Sequence, residues 1–226
     1  MTPGTTPIGL GIAGLGMAGA VMVHAAAKHP DFVLKAGADP HQGPRDAFAR
    51  DHNARAYEDV RMLVRDAAVS VVYIATPHQF HAEHARLAAE HGKHIILEKP
   101  MALTLAECDA IIAAVERHNV HLVVGHTHAF DPAVRLMQEI IARGELGKLG
   151  LIHSLNYTNY LYRPRRPEEL DTARGGGILF NQVPHQIDTV RLLAGGVVRS
   201  VRAHTTALDP ARPTEASCAA LLQFDN

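Results

Sequence analysis

The sequence predicts an α/β protein in which a doubly wound parallel sheet is followed by an α+β domain with an open, mainly antiparallel sheet. A Gly-x-Gly-x-x-Gly motif lies between an apolar run and a helix-forming stretch near the amino terminus. Apolar runs then alternate with helical patterns up to residue 125, as is typical of right-handed βαβ units. From residue 126 the strand-like runs have mixed polarity, which favours an antiparallel sheet with one covered face.

The glycine motif follows the first predicted strand, Ile8 to Ala13, and precedes a helical stretch, Ala20 to Lys28. The first glycine of such a motif permits a tight turn and the second lets a pyrophosphate approach the backbone. The third lets the helix pack closely on the strand. The motif therefore predicts a dinucleotide whose phosphates lie at the helix N-terminus, with contacts from Gly14, Gly16, Met17 and Gly19.

A carboxylate closes the second predicted strand, Phe32 to Ala38. Asp39 lies 20 residues after Gly19, about where a carboxylate hydrogen-bonds the ribose hydroxyls of a dinucleotide. A solvated turn residue is the alternative interpretation. Because a carboxylate repels a 2′-phosphate and the next residue is Pro40 rather than an arginine, the pattern favours NAD over NADP.

The remaining elements of the first domain follow from periodicity and helix-end signals. They are a short helix over Arg45 to Asp51, a buried strand over Val69 to Ala75 ended by Thr76-Pro77, a helix over Phe80 to His91 ended by Gly92, a strand over His94 to Leu97, a helix opened by a capping box at Thr104 and ending near Arg117, and a strand over Val120 to Val124. Together they predict a dinucleotide-binding domain over residues 1–125.

The second domain is predicted over residues 126–226. Asp131 caps a helix that has Pro132 at its first position and reaches Arg143. Three strand-like runs follow, over Leu149 to Thr158, Val197 to Leu208 and Glu215 to Phe224. A long helix over Ile178 to Leu193 separates the first run from the second. Because the sequence stops directly after a strand, on residues that favour a hairpin turn, we expect the antiparallel sheet to be incomplete and the chain to be a C-terminally truncated fragment.

Composition and charge argue against several classes of protein. A net charge of -1 with 20% charged residues gives no electrostatic footprint for nucleic acid. The uncharged stretch Ile8 to Val23 follows no basic residue and contains five glycines, which favours strand, turn and helix over a signal peptide or membrane span. Cys108 and Cys218 are interpreted as packing residues in a reducing compartment. We therefore expect a cytoplasmic protein that binds small molecules and other subunits, but no nucleic acid or membrane.

Two groups of residues are candidates for chemistry. Glu98-Lys99-Pro100 follows a strand at the edge where parallel sheets bind ligands, although most lysines are simply surface residues. On one helix, Asn181, His185 and Asp188 would share a face. A histidine between an amide and a carboxylate could relay protons, and a core histidine satisfied by Asp188 is equally compatible with the pattern.

Several motifs occur together in one order: Gly14-x-Gly16-x-x-Gly19, Asp39, Thr76-Pro77-His78 with His81, Gly92-Lys93-His94, Glu98-Lys99-Pro100, and three glycines followed by His185-x-x-Asp188. In this combination the chain resembles, over essentially its whole length, the glucose-fructose oxidoreductase, inositol dehydrogenase and MocA (Gfo/Idh/MocA) family. The resemblance implies a Rossmann domain followed by a substrate-binding and oligomerisation domain. It also implies a homo-oligomer, a dimer or tetramer, if the C-terminal sheet is complete.

The resemblance implies individual roles as well. Lys99 matches the family lysine that hydrogen-bonds the reacting hydroxyl and assists proton transfer, and His185 matches the histidine acid/base. Residue 181 is often aspartate in sugar and cyclitol dehydrogenases, but here it is Asn181, so the relay must rest on Lys99 and His185. The implied cofactor contacts include Thr76, Pro77, His81 and Glu98, and the implied substrate contacts include Thr127, His128, Asn181 and Asp188.

The segment Tyr162 to Asp171 and the residues around His185 resemble the phthalate 4,5-cis-dihydrodiol dehydrogenase branch of this family. Arg163, Arg165 and Arg166 could clamp substrate carboxylates through bidentate hydrogen bonds, with a solvated basic loop as the alternative. The resemblance thus implies an NAD-dependent dehydrogenase that oxidises a secondary alcohol, in a carboxylated cyclic cis-dihydrodiol. A sugar or cyclitol dehydrogenase is the alternative enzyme, and a non-catalytic NAD-sensing module is the alternative of another class.

Sixteen histidines also raise the question of a metal site. The best spacings are His78-x-x-His81-x-x-His84 and His126-x-His128. The first group overlaps the Thr-Pro loop, and the second falls where family members place substrate-lining residues. We therefore expect no metal.

Overall fold

The computed structural model of the protein describes residues 6–212 and 214–226. Contacts between Cα atoms divide the chain into two compact units, the first ending at Gly125 and the second beginning at His126. The first unit contains a parallel sheet, and the second contains a small antiparallel one.

The parallel sheet of the first unit has six strands in the described residues. They are β1 (Ile8–Ala13), β2 (Phe32–Ala38), β3 (Arg55–Tyr57), β4 (Val71–Ile74), β5 (His94–Leu97) and β6 (Leu122–Val124). Their order is β3-β2-β1-β4-β5-β6, and each neighbouring pair is parallel. The chain therefore builds outward from β1 in one direction and then in the other, which confirms the predicted doubly wound sheet.

Helices cover both faces of this sheet. They are α1 (Met17–Ala26), α2 (Gln42–His52), α3 (Val60–Leu63), α4 (His81–Glu90) and α5 (Leu105–Arg117). Tyr73 of β4 packs in a core cluster with Val23 of α1, whereas its neighbour Ile74 packs in a second cluster with Ile111 of α5. This alternation is expected of a strand that is buried on both faces.

Two short elements of the first unit, β3 and α3, were not predicted from the sequence. They contain three and four residues, which is too short for a periodic pattern. β3 is held by a carboxylate from elsewhere in the chain: Asp66 accepts hydrogen bonds from Arg55 Nη1 at 2.6 Å and from the Tyr57 hydroxyl at 3.2 Å. The strand therefore depends on a tertiary contact that no local pattern shows.

Both predicted N-caps are confirmed. Thr104 Oγ1 accepts a hydrogen bond from the Glu107 backbone N–H at 3.2 Å, and the Glu107 carboxylate accepts one from the Thr104 N–H at 3.0 Å. This capping box satisfies two N–H groups at the start of α5. In the second unit, Asp131 Oδ1 accepts from the Ala133 N–H at 2.8 Å at the start of a helix whose first residue is Pro132.

The second unit combines helices with a β-hairpin-like pair. Its elements are α6 (Pro132–Ala142), α7 (Gly177–Asn181), α8 (Val183–Ala194), β7 (Val198–Thr206) and β8 (Ser217–Phe224). β7 and β8 pair antiparallel, from Val198 opposite Phe224 to Thr206 opposite Ser217. This confirms the predicted antiparallel sheet in the second half of the sequence. Across the described parts of both units, the helices are all too short or too polar to span a lipid bilayer.

One predicted strand of the second unit, Leu149 to Thr158, is wrong. Residues 149–158 pair with no strand in the described structure, where β7 and β8 pair with each other. Leu151, Leu155 and Tyr157 are exposed. A strand requires a neighbour that bonds its N–H and C=O groups, and a favourable alternation of side chains does not supply one.

The long helix predicted over Ile178 to Leu193 is interrupted. α7 ends at Asn181, and α8 begins at Val183 with Pro184 in its first turn. A proline has no N–H for the carbonyl four residues earlier, and its ring clashes with that carbonyl. The helix therefore stops and restarts, so that Asn181 and His185 belong to different helices.

Candidate active site

Three turns lie side by side at the carboxyl edge of the parallel sheet. Residues 14–19 follow β1, Thr76-Pro77 follows β4, and Glu98-Lys99-Pro100 follows β5. β4 lies between β1 and β5 in the sheet. The order of strands reverses between β1 and β4, which is where sheets of this kind bind their ligands. The structure thus brings the predicted glycine motif, the Thr-Pro turn and Lys99 to one edge of the first unit.

The three glycines of the motif differ in what surrounds them. Gly14 has a φ of +91°, and a Cβ there would lie 2.6 Å from the carbonyl oxygen of Ala75. A Cβ at Gly19 would lie 1.9 Å from the carbonyl oxygen of Gly14. A Cβ at Gly16, by contrast, would have nothing within 4 Å. The first and third glycines are therefore required by the fold itself, whereas the second borders open space.

The N-terminus of α1 faces that open space. Gly16 is the N-cap, and in the described residues no side chain caps the helix. Met17 in the first turn is 86% exposed. The first N–H groups of a helix have no intrahelical partner, and together with the helix dipole they favour an anion. A pyrophosphate therefore fits this turn, as the glycine motif predicts.

Asp39 is held at the end of β2 by several hydrogen bonds. Its Oδ2 accepts from the Leu15 N–H at 2.9 Å, and its Oδ1 accepts from the His41 N–H at 2.9 Å and lies 2.9 Å from the His41 ring. Burial alone would raise the pKa of this carboxyl group, but the hydrogen bonds from His41 and Leu15 lower it overall. Arg45 Nη1 also donates to the Asp39 carbonyl at 2.8 Å. Asp39 is thus an ionised carboxylate fastened to the glycine turn.

His41 and Arg45 are neighbours of Asp39 that sequence analysis missed. A histidine two residues beyond the carboxylate, in the turn that leads into α2, is a sequence signal that could have indicated His41. Both bring positive or potentially positive groups to the end of β2.

Glu98 links the turn after β5 to the strand beside it. The Tyr73 hydroxyl of β4 donates to Glu98 Oε1, and the Lys99 N–H donates to Glu98 Oε2 at 3.3 Å. Burial, and then the hydrogen bond to Glu98, raise the pKa of Tyr73, so that this hydroxyl remains a donor. The Lys99-Pro100 peptide bond is cis.

Lys99 itself is half-buried, and burial lowers the pKa of its amine although the negative charge of Glu98 opposes this effect. A lysine with a lowered pKa is deprotonated more readily and can act as a base nearer to neutral pH. The local environment of Lys99 therefore suits proton transfer.

The surroundings of His81 differ from those expected of the cofactor contact that the resemblance implied. Its side chain is fully buried, and its Nδ1 lies 2.7 Å from the Pro100 carbonyl oxygen and its Nε2 2.9 Å from that of Thr76. Because both ring nitrogens face main-chain oxygens of this unit, His81 supports the two turns instead of reaching a cofactor. The Thr76 hydroxyl is in turn 3.0 Å from His84 Nδ1, and Pro77 is the N-cap of the 3₁₀ turn His78–Phe80.

In the second unit, His185 of α8 stacks on His128. Their ring centroids are 4.3 Å apart and the ring planes differ by 21°. His128 lies in the 3₁₀ turn Thr127–Phe130, which packs against α8. Local packing therefore places the predicted pocket residue His128 against the predicted acid/base His185, while Thr127 is exposed.

The shared helical face predicted for Asn181, His185 and Asp188 is not formed, because the chain breaks at residue 182. Asn181 Nδ2 donates to the Gly177 carbonyl at 2.8 Å and to the Gly175 carbonyl at 3.3 Å. One carboxylate oxygen of Asp188 is buried without a hydrogen-bond partner in the described residues. Asn181 therefore stabilises the glycine turn that precedes α7.

Sequence analysis also missed Glu215, which organises that glycine turn. Glu215 is buried, and its carboxylate accepts hydrogen bonds from the Thr172 hydroxyl at 2.5 Å and from the Leu179 N–H at 3.2 Å. Gly177 has a φ of +78°, and a Cβ there would lie 2.2 Å from Glu215 Oε1. These partners are far apart in sequence, so no local motif could have indicated them.

The three arginines of the predicted carboxylate clamp have different surroundings. Arg165 is half-buried: its guanidinium lies 4.1 Å from the centre of the Tyr160 ring and donates to Glu169 Oε1 at 3.2 Å. Arg166 is exposed and pairs with Glu169 at 3.3 Å, and Arg163 is exposed. Arg165 and Arg166 therefore both pair with a carboxylate of their own loop, and the carboxylate clamp stays a prediction.

Among the described residues, no group of three or more His, Cys, Asp or Glu side chains is arranged to hold a metal ion. The histidines of the first spacing contact other side chains: the rings of His78 and His81 meet edge to face at 5.5 Å, and His84 stacks on Phe80 at 5.8 Å.

Comparison with known proteins gives the family. Residues 8–126 match the GFO_IDH_MocA model, described as an oxidoreductase family with an NAD-binding Rossmann fold. Residues 134–226 match the GFO/IDH/MocA C-terminal domain.

Several individual proteins are similar over nearly the whole chain. The 1-carboxy-3-chloro-3,4-dihydroxycyclohexa-1,5-diene dehydrogenase of Comamonas testosteroni is 44% identical over 96% of this chain and 55% of its own length. A crystal structure from Bordetella bronchiseptica RB50, provisionally described as a dehydrogenase, has 46% sequence identity and a TM-score of 0.93. The match covers 97% of this chain and 58% of that one. Scyllo-inositol dehydrogenase from Lactobacillus casei, solved with NAD(H) and scyllo-inositol, has 25% identity and a TM-score of 0.84, with 97% of this chain covering 67% of that one.

The chain spans about half the length of the curated relatives that it matches, and 55% of the Comamonas testosteroni protein. The two family models nevertheless account for most of its residues, and the fold and the order of motifs agree with them. The chain therefore belongs to the GFO/IDH/MocA oxidoreductase family.

Proposed function

We propose that this protein is an NAD-dependent dehydrogenase that oxidises a secondary alcohol by hydride transfer. The observation that carries the proposal is Lys99, a half-buried lysine with a lowered pKa at the same sheet edge as the glycine turn. A basic amine beside a dinucleotide site is what the removal of a hydroxyl proton requires.

The residues of the first unit fit NAD. The N–H groups at the start of α1 would hold the pyrophosphate, and the ionised Asp39 would accept hydrogen bonds from ribose hydroxyls. We propose further contacts from Met17, Thr76, Pro77 and Glu98, which lie in or beside the three turns. When bound, NAD supplies the hydride acceptor.

Lys99 is proposed to accept the hydroxyl proton of the substrate. In its neutral form the amine takes this proton while the carbon that bears the hydroxyl loses hydride, and the alcohol becomes a ketone. The lowered pKa of Lys99 raises the fraction of neutral amine at a given pH. The negative charge of Glu98 beside the amine offsets part of the cost of burying the ammonium group that is formed.

His185 is proposed as a second acid/base group, and His128 and Thr127 as substrate contacts in the same unit. The support is the family pattern at residue 185 and the stacking of the two imidazole rings at 4.3 Å. We also propose that the first unit is the cofactor domain and that the second unit binds substrate and contributes to a homo-oligomer. Light scattering of the purified chain tests the oligomeric state.

The substrate class that we propose is a carboxylated cyclic cis-dihydrodiol. The Comamonas testosteroni relative, at 44% identity, is named for a carboxylated dihydroxycyclohexadiene. Arg163 and Arg166 are exposed cations that could pair with a carboxylate. Oxidation of a cyclohexadiene diol gives a hydroxyketone, and its tautomerisation to an aromatic catechol would draw the reaction forward.

The proposal is tested by following NADH formation at 340 nm with a panel of substrates. The panel contains a carboxylated cis-dihydrodiol, the same diol without the carboxylate, and myo-inositol, and NAD binding is measured in parallel by calorimetry. We expect turnover that is highest for the carboxylated diol. Turnover of myo-inositol alone would show a cyclitol dehydrogenase, and tight NAD binding without turnover of any alcohol would show a nucleotide-sensing module.

A further inference from the structure

His81 is a fully buried polar side chain beside the proposed catalytic turn. It lies at the start of α4, and both of its ring nitrogens are within hydrogen-bond distance of carbonyl oxygens, Pro100 at 2.7 Å and Thr76 at 2.9 Å. Buried histidines with two main-chain contacts are held in one orientation, since rotation of the ring would break both.

The two carbonyl groups belong to neighbouring turns, one after β4 and the other after β5. The backbone bond from the Glu98 N–H to the Ile74 carbonyl, at 2.9 Å, joins the ends of β4 and β5. Beyond it, Thr76 and Pro100 present carbonyl oxygens, and two acceptors cannot bond each other. A ring with a nitrogen on each side can contact both oxygens and donate to at least one of them, and the ring of His81 takes this position.

We propose that His81 is a positioning residue for Lys99, acting by bridging the main-chain carbonyl groups of Thr76 and Pro100. The bridge fixes the residue that directly follows Lys99 against the end of β4, and so keeps the Lys99 amine in its half-buried place. The inference rests on the proposed function only in treating Lys99 as the proton acceptor.

The number of protons on the ring decides how many of the two contacts are hydrogen bonds. A neutral imidazole donates through one nitrogen and an imidazolium through both, so one carbonyl is bonded in the neutral form and both in the charged form. Burial lowers the pKa of His81, and the charge of Lys99 lowers it further. The contacts with Pro100 and Thr76 and the charge of Glu98 raise the pKa but do not cancel the effect of burial.

The other titratable groups close to His81 are histidines of its own segment. His78 meets its ring edge to face at 5.5 Å, and His84 follows one turn later on α4. Neither lies between His81 and the two carbonyl groups, which the ring contacts directly.

The test measures Lys99 directly and needs no turnover. Competitive acetylation with acetic anhydride across a pH series, followed by mass spectrometry of peptides, gives the titration profile of each lysine. His81→Leu removes both ring nitrogens, and His81→Gln restores an amide donor. In the Leu variant we expect the midpoint of the Lys99 profile to move to higher pH, because a loosened turn exposes the amine, and in the Gln variant to move part of the way back.

Two controls separate positioning from a general loss of stability. Leu63→Ala creates a cavity in the same unit, away from the Lys99 turn, and should lower the melting temperature while leaving the Lys99 midpoint unchanged. Lys93, whose amine donates to the carbonyls of Asp66 and Val69, is the internal reference and should titrate alike in the wild type and in both His81 variants. An unchanged Lys99 midpoint in the His81→Leu variant, or an equal shift in the Leu63→Ala variant, would overturn the proposal.

Turnover and NMR complete the test. We expect kcat to fall by about 10- to 100-fold in the Leu variant with little change in NAD affinity, since small misplacements of a reacting group have effects of this size. If the Leu variant does not fold, long-range ¹H–¹⁵N spectra of the intact protein serve instead, and a His81 ring without a hydrogen-bonded, exchange-protected N–H would refute the bridge. If no alcohol is oxidised at all, the proposed function fails while the acetylation profiles still decide the role of His81.

Discussion

Asp39→Asn tests whether the carboxylate at the end of β2 both holds the glycine turn and selects the cofactor. In the folded protein its two oxygens accept backbone hydrogen bonds from Leu15 and His41, each at 2.9 Å. An asparagine can keep only one of these bonds, because its amide nitrogen would face the other N–H. Losing a charge-assisted bond and leaving one N–H unsatisfied should lower the free energy of unfolding by about 2–4 kcal/mol.

The same substitution should change the pH dependence of stability. The folded-state pKa of Asp39 is lowered from its ordinary value of 3.8, so its stabilising effect is complete above that value and is lost as the pH falls through the lower pKa of the folded protein. The Asn variant should therefore lose less stability in acid than the wild type does. Urea unfolding at neutral and acidic pH measures both effects.

Cofactor preference provides an independent measurement on the same variant. Removing the negative charge relieves its repulsion of a 2′-phosphate, so the ratio of the NADP to the NAD dissociation constant should fall by at least about fivefold. His41→Ala is the matched control, because it removes an 81% exposed ring but keeps the backbone N–H, and should cost less than about 1 kcal/mol. An Asn variant with wild-type stability and wild-type cofactor preference would refute this account of Asp39.

Four further substitutions, one of them a control, test the proposed base, the glycine turn and a helix cap. Lys99→Ala should reduce kcat by at least about 100-fold with NAD affinity retained. In the wild type, kcat should rise with pH through an apparent pKa below the ordinary 10.5 of a lysine. If the variant loses NAD binding as well as turnover, the catalytic role is contradicted. Gly19→Ala should reduce the free energy of unfolding by about 1–3 kcal/mol or prevent folding, because its Cβ would lie 1.9 Å from the Gly14 carbonyl oxygen. Gly16→Ala is the control, and it should weaken NAD binding in calorimetry while leaving urea unfolding unchanged, since nothing lies within 4 Å of its Cβ. Thr104→Ala should cost about 0.5–2 kcal/mol in urea unfolding by removing the capping box, and an unchanged midpoint would show that the cap is not stabilising.

The fold of the first unit could be predicted where its signals are local. β2 and β5 have the predicted limits, because each is a mainly apolar run that follows a glycine or proline and ends at an acidic residue. α5 begins at the predicted cap because the capping box is also a local signal, with Thr104 and Glu107 three residues apart. β3 could not be predicted, because its three residues owe their place to Asp66.

The errors in the second unit have two different physical causes. The helix break at Gln182 could have been predicted, because Pro184 is a local signal that outweighs the helical spacing around it. The absence of a strand at residues 149–158 could not have been predicted, because strand pairing depends on a neighbour elsewhere in the chain. Sequence patterns therefore indicated which segments are compatible with a strand, but not whether a partner is present.

The candidate site shows the same division. The glycine motif, Asp39 and Lys99 could be located because each follows a predictable strand, and parallel topology brings the ends of strands to one edge. The role of His81 could not be predicted, because its spacing from Thr76 and Pro100 acquires meaning only when α4 packs on the sheet. Glu215 likewise reaches the turn at Gly177 from far along the sequence.

At the carboxyl edge of the parallel sheet, side chains continue the bonding that the strands can no longer provide. Asp39 fastens the glycine turn through the Leu15 N–H, Tyr73 fastens the turn after β5 through Glu98, and His81 connects that turn to the one after β4. Within the described residues, the start of α1 is left without a side-chain cap among these fixed turns. The first N–H groups of α1 therefore face open space beside these fastened turns, which is a physical reason to expect an anionic ligand there.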